Sequence, residues 1–158
     1  MNEADIVEYV ERVQERTQEA AAAIPPDRLN WRPRPSELTA GELVLHIASS
    51  RLMNGRRAAS DLFRYDGHAL AAGTTLEAVL AALADSSREC MALVRASDLS
   101  RDMVLASAPQ GAKAWRILLG GLMEHEIHHR SQLCEYLSAL GVAPPPLFGL
   151  HFEDLPRG

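Results

Sequence analysis

The sequence predicts an all-α fold, a four-helix bundle, on three observations. Apolar residues recur every three to four positions in long stretches, Thr-x-x-Glu pairs stand where two of those stretches begin, and Pro or Gly clusters stand where they stop. No stretch shows a convincing strand alternation.

Ile6, Val10, Val13, Thr17, Ala21 and Ile24 carry the first stripe, and Pro25-Pro26 ends it, because proline has no N–H to continue the ladder. After the Pro-punctuated stretch PPDRLNWRPRPSEL, Thr39-Ala40-Gly41-Glu42 matches a capping box, in which hydroxyl and carboxylate each take a free backbone N–H. Helix two therefore starts near Thr39 and is expected to run to Asp66-Gly67. A second box, Thr74 to Glu77, opens helix three, whose stripe is Leu76, Val79, Leu80, Leu83, Cys90 and Val94. The segment SDLSRDMVLASAPQGAK breaks the period with Pro109 and Gly111. Helix four is expected from about Ala112, through Trp115, Leu118, Leu122, His125, His129 and Leu133, to Gly141, a natural residue for the turn after a helix. The whole chain, residues 1–158, reads as one domain with a C-terminal tail from about residue 142.

Charge and composition exclude several classes of function. A formal net charge of -5 without a concentrated basic block argues against nucleic acid as a partner, since phosphate binding needs a positive field. Arg51, Arg56, Arg57 and Arg64 read as a solvated helix face. The acidic start Met1-Asn2-Glu3-Ala4-Asp5 does not look like a secretory signal, and no apolar run approaches the ~20 residues that span a bilayer. A cytoplasmic protein without membrane contact is the expectation, with Cys90 and Cys134 as reduced packing thiols. The small-residue run AVLAALA in helix three and the far end of helix two offer surfaces for a symmetric homodimer.

The stretch HEIHH, residues 125 to 129, carries the chemistry. At about 100° per residue His125 and His129 lie one turn apart on the same helical side, while His128 falls on the polar side with Glu124, Gln132 and Glu135. Such an i, i+4 pair suits a metal ion, because both imidazoles can deliver a nitrogen to one point. Two partly buried histidines satisfied by neighbouring hydrogen bonds explain the pair equally well. Two ligands also hold a metal weakly, so a third must come from another helix, and His46, set among apolar neighbours in helix two, is the best candidate. Glu42, four residues before it, serves either as cap or as ligand or base. His68, in a Gly-flanked loop, and His151, in the tail, read as solvent-exposed.

The stretches LNWRPRPSELTAGELVLHIASSR and GGLMEHEIHHRSQLCEYLSALGVAPP, with the helix order, resemble the DinB/YfiT-like superfamily across nearly the whole chain. The second is similar to that family's His-x-x-x-His element followed by a His-Arg-Gly-Gln-like turn, with Ser131 where glycine is frequent. The resemblance implies a four-helix bundle with a metal site of His46, His125 and His129. It also implies an activity like that of thiol-dependent S-transferases using a low-molecular-weight thiol such as bacillithiol or mycothiol. The family name refers to induction by DNA damage in one lineage and implies neither polymerase activity nor DNA binding.

Three neutral imidazoles with open positions suit Zn²⁺ or Ni²⁺. The expected function is therefore a metal-dependent small-molecule hydrolase or thiol S-transferase, with Glu42, Glu124 or Glu126 as candidate bases. The alternative is a non-catalytic, dimeric metal- or ligand-binding bundle with a regulatory or stress-related role. Because imidazole has an unperturbed pKa of ~6.5, metal affinity is expected to fall below about pH 6.

Overall fold

The computed structural model describes residues 2–60, 62–105, 108–149 and 154–156. It is a helical bundle of α1 (Glu3–Ala22), α2 (Ala40–Ser60), α3 (Leu76–Arg95) and α4 (His125–Ala139), with a small hairpin and a π-helical segment between α3 and α4. Among the described residues, no helix is long and apolar enough to cross a membrane. His151 lies outside the described residues.

Local chemistry accounts for the helix ends. Asn2 and Asp5 form a reciprocal capping box at the start of α1, where no Thr-x-x-Glu pattern announces it. At α2 the expected box is present: the Thr39 N–H donates to Glu42 at 2.8 Å and the Glu42 N–H to the Thr39 hydroxyl at 3.2 Å. At α3 the cap is Thr75, one residue later than expected, accepting from the Ala78 N–H at 3.2 Å. Thr74 instead donates its hydroxyl to the Ala71 carbonyl, so the Thr74–Glu77 box does not form. Gly141, at φ +75°, ends α4 as expected, with the Val142 N–H returning to Leu137 at 2.9 Å and the Gly141 N–H to Ser138 at 3.0 Å.

Three expectations are corrected. Helix α2 stops at Ser60, and the chain from 62 to 70 runs back irregularly over the helix, anchored where Arg56 pairs with Asp66 at 2.6 Å and Ser49 donates to the Gly67 carbonyl. Strands β1 (Asp102–Leu105) and β2 (Ala108–Lys113) pair antiparallel, with Met103 opposite Ala112 and Asp102 opposite Lys113. Alternation was too short to mark them, and their pairing is irregular beside Gly111, at φ +97°. Ala112 therefore belongs to a strand, and the fourth helix begins at Trp115, turning π-helical from Ile117 through Glu124.

The core has two apolar halves. One gathers Ile6, Val10, Val13, Cys90, Leu118 and Leu122, and the other Ala21, Ile24, Leu43, Ile47, Leu83 and Leu137. Each fully buried Leu, Ile or Val contributes roughly 1.5–3 kcal/mol. Between the halves every helix contributes buried polar groups: Gln14 and Thr17 from α1, Ser50, Arg51 and Asn54 from α2, Ser86 from α3, Glu126 and Arg130 from α4.

Arg51 is the hub of this layer, not part of a solvated face. It donates to Glu126 at 2.8 and 2.6 Å, to the Leu83 carbonyl at 3.0 Å and to the Gln14 carbonyl at 3.2 Å, so one guanidinium ties α2 to the other three helices. Its sequence neighbours do stay near the surface: Arg56 joins Asp66 and Glu89, Arg57 lies over Phe63, and Arg64 pairs with Asp66. Asn54, one turn on, donates to the Gly121 carbonyl of the π-helical segment at 2.8 Å. A Cβ at Gly121 would stand 2.6 Å from the Asn54 amide oxygen, so this close approach requires glycine.

Candidate metal centre

The histidines sit level with that polar layer. His46 precedes Arg51 on α2, while His125 and His129 flank Glu126 on α4, so the elements joined in the core by the ion pair also present the three imidazoles. The His46 Nε2 lies 3.0 Å from the Nε2 of His125 and 3.2 Å from that of His129. Taking one nitrogen from each ring, all three lie within 4.8 Å of one another, and no carboxylate or thiol joins the cluster among the described residues.

All three rings are held neutral. Burial pushes His46 and His125 down to about 4, reinforced at His46 by the neighbouring rings of His129, His125 and His68, and at His125 by His129 and His128. Burial also lowers His129, against an opposing hydrogen bond to Gln132. A neutral imidazole carries one bare nitrogen, and its partners decide which.

For His129 the partners give a single answer. The Leu38 carbonyl can only accept, so the Tyr136 hydroxyl donates to it, at 3.1 Å. The Tyr136 oxygen then receives the Gln132 amide N–H₂ at 3.2 Å, and the Gln132 carbonyl oxygen faces the His129 Nδ1 at 3.0 Å. That Nδ1 must carry the proton, leaving a lone pair on Nε2, directed at His46 and His125. His46 is held differently: its Nδ1 meets the Tyr65 hydroxyl at 2.7 Å, which meets the His68 Nδ1 at 2.6 Å. Both ends of that chain can donate or accept, so its direction is not fixed.

The remaining candidates are placed apart from the centre. Both Glu126 oxygens are taken by Arg51, and its side chain is 2% exposed, so it is a core ion-pair partner and not a base facing substrate. Glu42 caps α2 and stands 3.5 Å from Arg32; its carboxyl is lowered, chiefly by the Thr39 backbone N–H. Glu124 and His128 are exposed, the latter with its ring 4.8 Å from that of His129. Cys90 is buried and pushed up to about 12 by desolvation, which keeps it a thiol.

Four residues not expected at the site belong around the centre: Tyr65, Gln132, Tyr136 and His68, the last read from the sequence as solvent-exposed. His68 is half-buried with its ring 5.4 Å from that of His46, not a free loop histidine. The spacing His129, Gln132, Tyr136 follows one helical face and was available as a signal. Nothing local announces Tyr65 and His68, because an irregular segment carries them back.

Comparison with known proteins agrees with this architecture. The protein is 26% identical over 133 residues to YjoA of Bacillus subtilis (strain 168), covering 84% of this chain and 86% of the relative. The crystal structure of that DinB-like protein superposes with a TM-score of 0.71 at 24% identity, over 90% of this chain and 96% of the other. The family described as the DinB superfamily matches residues 9–133, through α2 and the histidine-bearing part of α4. With the family spanning most of the chain and the bundle matching in three dimensions, the protein belongs to the DinB superfamily.

Proposed function

We propose that His46, His125 and His129 bind a divalent metal ion, Zn²⁺ or Ni²⁺, through their Nε2 atoms, and that the protein uses it as a small-molecule thiol S-transferase. The observation that carries this reading is the convergence of three neutral imidazoles on one point, with the His129 lone pair already directed there. Nitrogens that each stand about 2.0–2.1 Å from a shared ion are separated by roughly 3.0–3.4 Å, which matches the Nε2 spacings of 3.0 and 3.2 Å. The donor set therefore fits the group.

A bound divalent ion supplies the positive charge that makes a thiol or water nucleophilic at neutral pH. The chain's own groups do the positioning. Gln132 holds His129, Tyr65 holds His46, and the Arg51–Glu126 pair joins α2 to α4 behind them. Glu42 is engaged as a cap and Glu126 as an ion-pair partner, and among the described residues no carboxylate joins the three histidines. This favours a thiol, which metal coordination can deprotonate outright, over hydrolysis assisted by a protein base. An open groove of about 530 Å³, lined by Arg34, Glu37, His128, Gln132, Glu135 and Tyr136 among others, shares Gln132 with the centre and has the size of a small-molecule site.

Elemental analysis of freshly purified protein, paired with a screen of low-molecular-weight thiols against electrophiles, tests the reading. One equivalent of metal with thiol-dependent turnover is expected. Replacing His46, His125 or His129 by Ala should cut bound metal sharply, whereas His128→Ala should keep it. Full metal retention in His46→Ala would remove α2 from the site. Stoichiometric metal without turnover of any thiol would leave a non-catalytic metal-binding bundle.

A further inference from the structure

We propose that Gln132 and Tyr136 are positioning residues that hold His129 in its metal-accepting tautomer before any metal arrives; the inference rests on the metal reading above. The anchor is the Leu38 backbone carbonyl, in the segment that leads into α2. Because it has no proton to give, it sets the direction of every bond that follows: Tyr136 hydroxyl to Leu38, Gln132 amide to Tyr136, His129 Nδ1 to Gln132. The reverse orientation of the Gln132 amide is disfavoured by the same logic. It would set the Gln132 carbonyl oxygen against the Tyr136 oxygen, whose only proton is committed to Leu38, leaving two acceptors face to face. It would also turn an N–H₂ group toward the His129 Nδ1, shifting the ring proton to Nε2 and blocking the nitrogen that faces His46.

Packing adds to the anchor. Tyr136 is buried, and its ring meets Trp31 edge to face at 5.5 Å, which holds the phenol oxygen in place beside the Leu38 carbonyl. Gln132 lies one helical turn before Tyr136 and three residues after His129, so one face of α4 carries the chain from the backbone anchor to the centre. The contrast with His46 is instructive. Its partners Tyr65 and His68 end on an imidazole that can donate or accept, so His46 is free to change tautomer when a cation enters, while His129 is already set.

The test is the histidine tautomer in metal-free, ¹⁵N-labelled full-length protein at neutral pH, read from long-range ¹H–¹⁵N correlation spectra, together with Zn²⁺ affinity by chelator competition. In the wild-type protein His129 should be the Nδ1–H tautomer. Tyr136→Phe should give a tautomer mixture at His129, with His46 unchanged, and weaken Zn²⁺ binding roughly 10–100-fold. Gln132→Leu, at a half-buried position, should do the same and serves if Tyr136→Phe fails to fold. Gln132→Glu, whose carboxylate can only accept and draws the Tyr136 hydroxyl proton away from Leu38, should retain the Nδ1–H form and bind Zn²⁺ more tightly than Gln132→Leu, an outcome that a purely structural role does not produce. A wild-type His129 in the Nε2–H form, or variants with unchanged tautomer and affinity, would overturn the proposal. Tautomers that behave as expected in a protein that binds no Zn²⁺ would support the hydrogen-bond chain while sinking the metal reading.

Discussion

Replacing Arg51 by Met should destabilise the protein far more than its place in a polar-looking run of arginines suggests. The side chain is 1% exposed, and its four hydrogen bonds reach α1, α3 and α4. Methionine fills much of the same space, so the loss is mainly electrostatic. The Glu126 carboxylate would remain buried without its guanidinium, and the Gln14 carbonyl would lose its Arg51 donor. The Leu83 carbonyl is partly protected, because the Ser86 hydroxyl also donates to it, at 2.7 Å. Breaking a buried pair from one side costs about 3–5 kcal/mol. A protein of this size shifts its melting temperature by roughly 2–4 °C per kcal/mol, so Tm should fall by about 6–20 °C. Urea titration of metal-free protein at pH 7, followed by circular dichroism, measures the loss directly.

The double variant Arg51→Met/Glu126→Leu separates the charge effect from packing, because it leaves no orphaned ion. Apolar replacement of a whole buried pair is often neutral or stabilising, so the double variant should recover most of what the single one loses. A single-variant cost under about 1 kcal/mol, or a double variant no better than the single, would refute the idea that Glu126 depends on Arg51 for its burial.

Four further outcomes are expected. With folded pKa values of about 4 for His46 and His125 against ~6.5 unfolded, the unfolded chain binds more protons between these limits. Stability of the metal-free protein should therefore fall as pH drops from 6.5 toward 4 and change no further from these groups below that; a flat profile in that window contradicts the burial of the rings. Protons should likewise compete with metal nearer pH 4 than the pH 6 expected of free imidazole, and pH-resolved Zn²⁺ titration measures the midpoint. Chelator-treated protein should keep its helical circular dichroism at neutral pH and melt at a lower temperature, since the apolar clusters do not involve the centre; unfolding on chelation would make the metal structural. A homodimer through the far end of α2 and the small-residue run of α3 is the remaining expectation, and sedimentation showing only the 17.3 kDa species at micromolar concentration would exclude it.

The sequence by itself determined the helical class, three of the helix starts or stops and the pairing of His125 with His129, because these depend on contacts within a few residues. Apolar period, a Thr39–Glu42 box, a glycine at positive φ and i, i+4 spacing are all written in neighbouring positions. His46 could be proposed but not joined to the pair, since its distance to α4 is a matter of helix packing. The hairpin and the π-helical segment lay beyond that local reading: the first needs a partner strand, and the second is accompanied by an Asn54 bond to Gly121 that is remote in the chain. Tertiary structure alone decided that Arg51 is buried while Arg56 is not, because an arginine's place depends on whether a carboxylate waits across the core. It also decided the directions of the hydrogen bonds around the histidines. A carbonyl at Leu38 and a ring at His129 are far apart in sequence, and only packing α4 against the segment before α2 lets an atom that can only accept fix where a distant proton must sit.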